Sequence, residues 1–220
     1  MRRIAVISVT LNAVTPMMRR FAQEPGAWAV TNLLDEALQA EIAAEGRVTD
    51  RAMAQMGGLL GRAAAIRAEA VLLTCTVFSP SLPALRQLFA MPLIGADVAM
   101  LEQAAALRRR TAILCTFPAA LAGSAAMFEA ASGGVPADVT LVEGAQAAMA
   151  AGDSARHDAL IAEAVRAKAR THQAVVLAQM SMAGAAALLP EFLVPDAPVP
   201  LLTSPDCAVA ALRAALPAGS

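Results

Sequence analysis

The sequence predicts an α/β protein of two equivalent lobes, each a mostly parallel sheet with crossover helices. Two observations carry this. Short apolar runs alternate with longer Ala-rich helical stretches along the whole chain. The first set of runs also resembles the second in order and spacing. Composition agrees: of 220 residues 58% are hydrophobic and only 3% aromatic, as closely packed helices on a buried sheet require.

The strands are read at Ile4–Val9, Val71–Leu73, Leu93–Ile94, Ala112–Cys115, Val139–Val142, Val175–Leu177 and Val199–Leu202. Helices are read over about Asp50 to Ala68, Leu82 to Phe89, Val98 to Arg108, Ala119 to Ala131, Ser154 to Arg170 and Pro205 to Ala215, with Asp153 or Ser154 as the cap of the fifth. Gly57, Gly58 and Gly61 fall inside a helical pattern, so no Gly-rich phosphate loop follows a strand. The repeat lays Ala70–Thr76 on Ala174–Met180, Pro92–Ile94 on Pro200–Leu202, and Ile4–Ser8 on Thr111–Cys115. It divides the chain into residues 1–95 plus 205–220 and residues 96–204, with the active site expected in the cleft between them.

Charge and cysteine usage narrow the function. The formal net charge of −1 leaves no field to hold nucleic acid or an anionic membrane, so a small ligand is expected. No apolar run approaches a membrane span, and Met1-Arg2-Arg3 leads into a β-branched run read as a strand rather than a signal peptide, so a cytoplasmic protein is expected. Cys75, Cys115 and Cys207 are too scattered for a disulfide framework or a zinc site; neither metal nor organic cofactor is expected. A helix face rich in Ala and Leu could be buried in a homodimer.

In parallel sheets ligands bind beyond the carboxyl ends of the strands, where helix N-termini present free N–H groups. The residues there are Ser8 to Asn12, Thr74 to Ser79, Thr116 and Phe117, Glu143, and Gln179 to Ser181. They are rich in hydroxyls and amides and poor in charge, which suits a small carboxylate.

On Ser8-Val9-Thr10-Leu11-Asn12, Asn32-Leu33-Leu34-Asp35-Glu36, Leu73-Thr74-Cys75-Thr76, Cys115-Thr116-Phe117-Pro118, Gly152-Asp153 and Pro200-Leu201-Leu202-Thr203-Ser204-Pro205, the chain resembles the aspartate/glutamate racemase superfamily almost end to end. That superfamily includes hydantoin racemases, maleate isomerases and arylmalonate decarboxylases. The resemblance implies two Rossmann-like lobes related by pseudo-symmetry, and proton transfer at the carbon beside a carboxylate without metal or cofactor. It casts Cys75 as the acid/base, with Ser8, Thr10, Asn12, Thr74, Thr76, Thr116, Phe117 and Ser181 holding the substrate. Asp35 and Glu143 are further candidates; Asp35 and Glu36 lie in a helical pattern, and the resemblance places their segment near the site mouth.

The departure is at Gln179. Racemases of this type carry a second cysteine at this strand end, so that two thiols serve opposite faces of the carbon. Glutamine has no exchangeable proton near neutrality, and the nearby Ser181 hydroxyl is a very weak acid. Gln179 is therefore read as a neutral donor to a carboxylate or enolate oxygen, and the enzyme as a single-cysteine racemase or isomerase. The alternatives are a decarboxylase of a malonate-like acid, which needs one proton from one side, and a non-catalytic small-carboxylate binding protein. A nearby helix N-terminus is expected to lower the Cys75 pKa toward neutrality. Cys115 and Cys207 are read as structural, Arg108–Arg110 as a solvated helix end, the methionines as core filler, and His157 and His172 as surface residues.

Overall fold

The structure, a computed structural model, describes residues 1–194 and 196–216. The elements run β1 (Arg2–Ser8), α1 (Leu11–Ala22), β2 (Trp28–Leu34), α2 (Glu36–Glu45), α3 (Asp50–Ala65), β3 (Ala70–Leu73), α4 (Leu82–Leu88), β4 (Leu93–Gly95) and α5 (Ala96–Ala106). They continue with β5 (Thr111–Cys115), α6 (Ala119–Ser132), β6 (Asp138–Leu141), α7 (Ala145–Ala150), α8 (Ser154–Ala169), β7 (Ala174–Leu177), β8 (Leu201–Thr203) and α9 (Ser204–Ala215). Two compact units result, Met1–Ala99 with Ala208–Ser220, and Met100–Cys207; both changeovers fall inside helices, α5 and α9.

Each unit holds one four-stranded, wholly parallel sheet, in the order β2-β1-β3-β4 in the first and β6-β5-β7-β8 in the second. The registers repeat as well. Ile7 stands opposite Leu73 as Leu114 stands opposite Leu177, and Leu73 opposite Gly95 as Leu177 opposite Thr203. Residue by residue, Ser8 therefore corresponds to Cys115 and Cys75 to Gln179.

The strands read as unbroken apolar runs because both faces are covered: Ala5, Val6 and Ile7 of β1 and Ala112, Ile113 and Leu114 of β5 have no exposed surface. In the first unit α2, α3 and α4 cover one face through Leu38, Met56, Leu60 and Leu85. In the second, Ile161 and Val165 of α8 pack on Val175 and Leu177, while Phe128 of α6 packs on the side of Ile113 and Val176. The caps are local: Asp35 accepts from the Leu38 amide at 3.1 Å, Thr49 from Ala52 at 3.0 Å, and Asp153 from Arg156 at 2.9 Å.

Three expectations are corrected. The sequence reading has no β2, α1 or α7, and of α2 only the helical pattern at Asp35 and Glu36; β2 is an edge strand whose alternation is interrupted by exposed Thr31 and Asn32. Helix α3 stops at Ala65, where Arg67 takes a positive φ of 57°, and α5 begins at Ala96. His157 and His172 are buried, at 1% and 5% exposure. Helix α8 packs against α7 and the 3-10 segment Met180–Leu188, which encloses His157 with its Nδ1 2.8 Å from Asp158 Oδ1. His172 is enclosed beside Asp138; its Nε2 lies 3.2 Å from Asp138 Oδ2 in a geometry that makes no hydrogen bond, so proximity alone links the pair.

Candidate active site

In the first unit the carboxyl ends of β1 and β3 are tied through their side chains. Ser8, 1% exposed, shares a hydrogen bond of 2.8 Å with the Thr74 hydroxyl, while the Thr74 amide donates to the Ile7 carbonyl at 3.1 Å. Both hydroxyls, expected to hold substrate, thus also hold one another. Thr10 is the N-terminal flank of α1 with its hydroxyl not engaged as a cap, and Asn12 is exposed in the first turn of that helix. Asp35 follows β2 and is occupied as the cap of α2, a structural role sufficient to explain an aspartate there.

Cys75 leaves β3 and opens a 3-10 turn, Thr76–Ser81. The turn is anchored by Phe78, which has no exposed surface, so the thiol's place is set by the core. The amides of Val77 and Phe78 donate to the sulfur, as the helix N-terminus was expected to do. The net result is nevertheless the opposite of the expectation. Burial of the sulfur raises the Cys75 pKa, the two amides pull it down by less, and the negative charge of Asp97 adds to the rise. Burial thus favours the thiol form of Cys75 over its thiolate.

Asp97 is the member of this edge that the strand-end reading overlooked. It lies just after β4, in the first turn of α5, and is 6% exposed. The Ser79 hydroxyl donates to both of its oxygens, at 2.9 and 2.8 Å, and Thr76 and the amides of Asp97 and Val98 also bond it. Burial still pushes its pKa up. The sequence signal is its place just beyond the Leu93–Ile94 run, a strand end like those of Ser8 and Cys75. Thr76, exposed and expected to touch substrate, turns its hydroxyl to Asp97.

In the second unit Gln179 occupies the position corresponding to Cys75. Its Oε1 accepts from the Thr116 amide at 2.8 Å and the Thr116 hydroxyl at 3.1 Å. Because a backbone N–H can only donate, this assigns the amide's orientation, and the Gln179 amide bonds the Cys115 sulfur. Cys115 has no exposed surface, its Sγ is 3.8 Å from Ser124 Oγ, and burial raises its pKa. The structure thus brings Thr116 and Gln179 together, with Cys115 beneath them. Ser181 is half-buried one residue beyond Met180; Phe117 is 37% exposed, and Glu143 is exposed after β6.

Among the described residues no group of three or more His, Cys, Asp or Glu is placed to hold a metal ion. Among them, too, no helix is long and apolar enough to cross a membrane.

Solved structures resemble the chain over nearly its full length. An aspartate racemase from Picrophilus torridus superposes with a TM-score of 0.70 at 9% identity, covering 98% of this chain and 94% of that one. An allantoin racemase from Klebsiella pneumoniae gives 0.68 at 18% identity, with 97% and 87% covered. A glutamate racemase isoform from Bacillus anthracis gives 0.65 at 12% identity, with 98% and 81% covered. At these identities the likeness is one of fold. No curated protein matches the chain by sequence. A family model, Asp/Glu/hydantoin racemase, matches residues 4–212. The chain belongs to the Asp/Glu/hydantoin racemase family.

Proposed function

We propose that the protein is a cofactor-independent racemase- or isomerase-type enzyme that moves a proton at the carbon beside the carboxylate of a small acid or amino acid, with Cys75 as its single catalytic cysteine. Family membership supports the reaction class. The observation that carries the residue assignment is the strand-end thiol, received by the amides of Val77 and Phe78 in a turn fixed by Phe78. An amide that donates to sulfur stabilises the thiolate left after the proton departs. Ser8, Thr10, Asn12, Thr74, Thr116 and Ser181 are proposed to hold the carboxylate by hydrogen bonds, and Gln179 to offer the remaining N–H of its amide.

A second reading is favoured by a specific observation. The thiol is held protonated, and the position corresponding to it carries an amide locked onto Thr116. Such a site delivers one proton, which is what a decarboxylated malonate-like acid needs. The two readings share one test: the protein is incubated in deuterated water with amino acids, hydroxy acids and malonates, following deuterium at the α-carbon and carbon dioxide release. Deuterium entry without carbon dioxide marks the isomerase; release of carbon dioxide marks the decarboxylase. In either case Cys75→Ala is expected to lower the rate by about two to four orders of magnitude. Undiminished turnover by that variant would remove Cys75 from the chemistry. Protection of Cys75 from iodoacetamide by a dicarboxylate, with no turnover of any acid, would leave a binding protein.

A further inference from the structure

Among the described residues Asp97 is the one acidic residue that is buried as a whole, and no cation pairs with it. An unpaired carboxylate is a costly way to fasten a loop, because burying a charge without a counter-ion is penalised more heavily than burying a hydrogen-bonded hydroxyl or amide. Its bonding partners say what it is aimed at. Thr76 and Ser79 both lie in the single 3-10 turn that Cys75 opens, and the side of Asp97 toward β4 is left clear by a glycine. A Cβ on Gly95 would lie 3.5 Å from Asp97 Oδ1 and 2.5 Å from Leu82 Cδ1.

We propose that Asp97 is a positioning residue for Cys75: held against the turn that Cys75 opens, the buried carboxyl disfavours a second negative charge beside it, so that ionised Asp97 keeps Cys75 protonated near neutrality. Two like charges in one poorly solvated pocket disfavour each other, and the pair loses its protons in two separated steps. The inference rests on Cys75 being the proton-handling residue. Other charged groups on the elements packed around the turn are engaged elsewhere. Arg86 of α4 donates from Nε to the Leu93 carbonyl at 2.9 Å, and Glu41 of α2 binds Arg51 of α3 at 2.8 Å. Asp35 caps α2; Glu36, Glu45, Asp50, Arg62 and Glu102 are exposed. The charge acting on Cys75 is that of Asp97.

The test reads the thiol and not turnover. Iodoacetamide alkylation of Cys75 in the full chain, mapped by peptide mass, is followed against pH for the unaltered protein, Asp97→Asn and Ser79→Ala. Asp97→Asn is expected to lower the alkylation midpoint by about one pH unit, so that alkylation below the midpoint is about tenfold faster. Ser79→Ala keeps the charge and is expected to leave the midpoint nearly in place. An unmoved midpoint in folded Asp97→Asn, or an equal shift in both variants, overturns the proposal. If Asp97→Asn does not fold, carbon-13 NMR of aspartate-labelled unaltered protein decides. The Asp97 carboxyl is expected to titrate above the ordinary carboxylate range, with a second inflection as the thiol ionises that disappears in Cys75→Ser. A single ordinary inflection overturns the proposal. Absence of turnover on every acid would count against the proposed function and leave this profile as it stands.

Discussion

At the scale of single residues, the sheet ends of this protein are occupied by groups whose burial opposes ionisation. Cys75, Cys115 and Cys207 all have pKa values raised by desolvation, Cys207 to about 12 with help from the neighbouring Asp206 charge. A raised thiol pKa means that the folded state holds its proton while the unfolded chain has released it. The stability this contributes is complete below the unfolded thiol pKa of about 8.5 and is lost as pH rises toward the folded value. The protein is therefore expected to weaken between about pH 8.5 and 12, each such group adding a slope of up to about 1.4 kcal/mol per pH unit. Cys207→Ala is expected to flatten that slope, read as the change in urea midpoint between pH 8 and 10.5. Comparing slopes cancels the pH-independent cost of the lost side chain. An unchanged slope would show that Cys207 ionises as easily folded as unfolded. Sequence alone recognises Cys75 by its flanking threonines, but the sign of its pKa shift depends on how much water the core excludes, which no local pattern encodes.

At the scale of elements, the helices carry local signals of unequal strength. Asp153 is a cap by residue type and by geometry, and Asp153→Ala is expected to cost about 1 kcal/mol in thermal or urea unfolding. Helix α3 carries the opposite kind of residue: Gly57, Gly58 and Gly61 lie inside it, and an added Cβ at each would meet nothing within 4 Å. Gly→Ala at Gly58 and Gly61 is expected to stabilise by about 0.5–1 kcal/mol each, because alanine loses less chain entropy on entering a helix. A fall in stability would mean that these faces meet something the isolated chain does not show. The same contrast explains what the sequence made legible. The buried strands β1, β3, β5 and β7 are continuous apolar runs, readable because both faces are covered. Edge strand β2 has Thr31 and Asn32 exposed and gives no run, so neither it nor the capping role of Asp35 is legible, although the helical pattern that Asp35 and Glu36 open is. His157 and His172 look like surface residues on a helix and before a strand, and are buried only because segments distant in sequence close over them.

At the scale of the molecule, the two sheets share strand order and register, yet the corresponding positions carry different chemistry: Ser8 and Cys75 in the first unit, Cys115 and Gln179 in the second. Each unit thus has one thiol at these two positions, but not in the same place. The second is 0% exposed with the Gln179 amide bonded to it, which suits packing rather than exchange. Asp97, the additional titratable group, follows β4 at the edge of the sheet that leads into Cys75 and bonds the Cys75 turn. Nothing in the second unit's Thr116–Gln179 pair can take up a proton near neutrality. Proton traffic is therefore expected on one face of the substrate carbon only. With an acid that the protein turns over in deuterated water, deuterium should enter with a single stereochemistry, and loss of optical rotation should be slow or absent beside the exchange rate. Cys115→Ala should leave exchange unchanged once its folding is verified. Rapid exchange on both faces by the unaltered protein would mean that Ser181, Cys115 or another group is a competent second base, and the reading of Gln179 as a neutral donor would fall with the single-thiol mechanism.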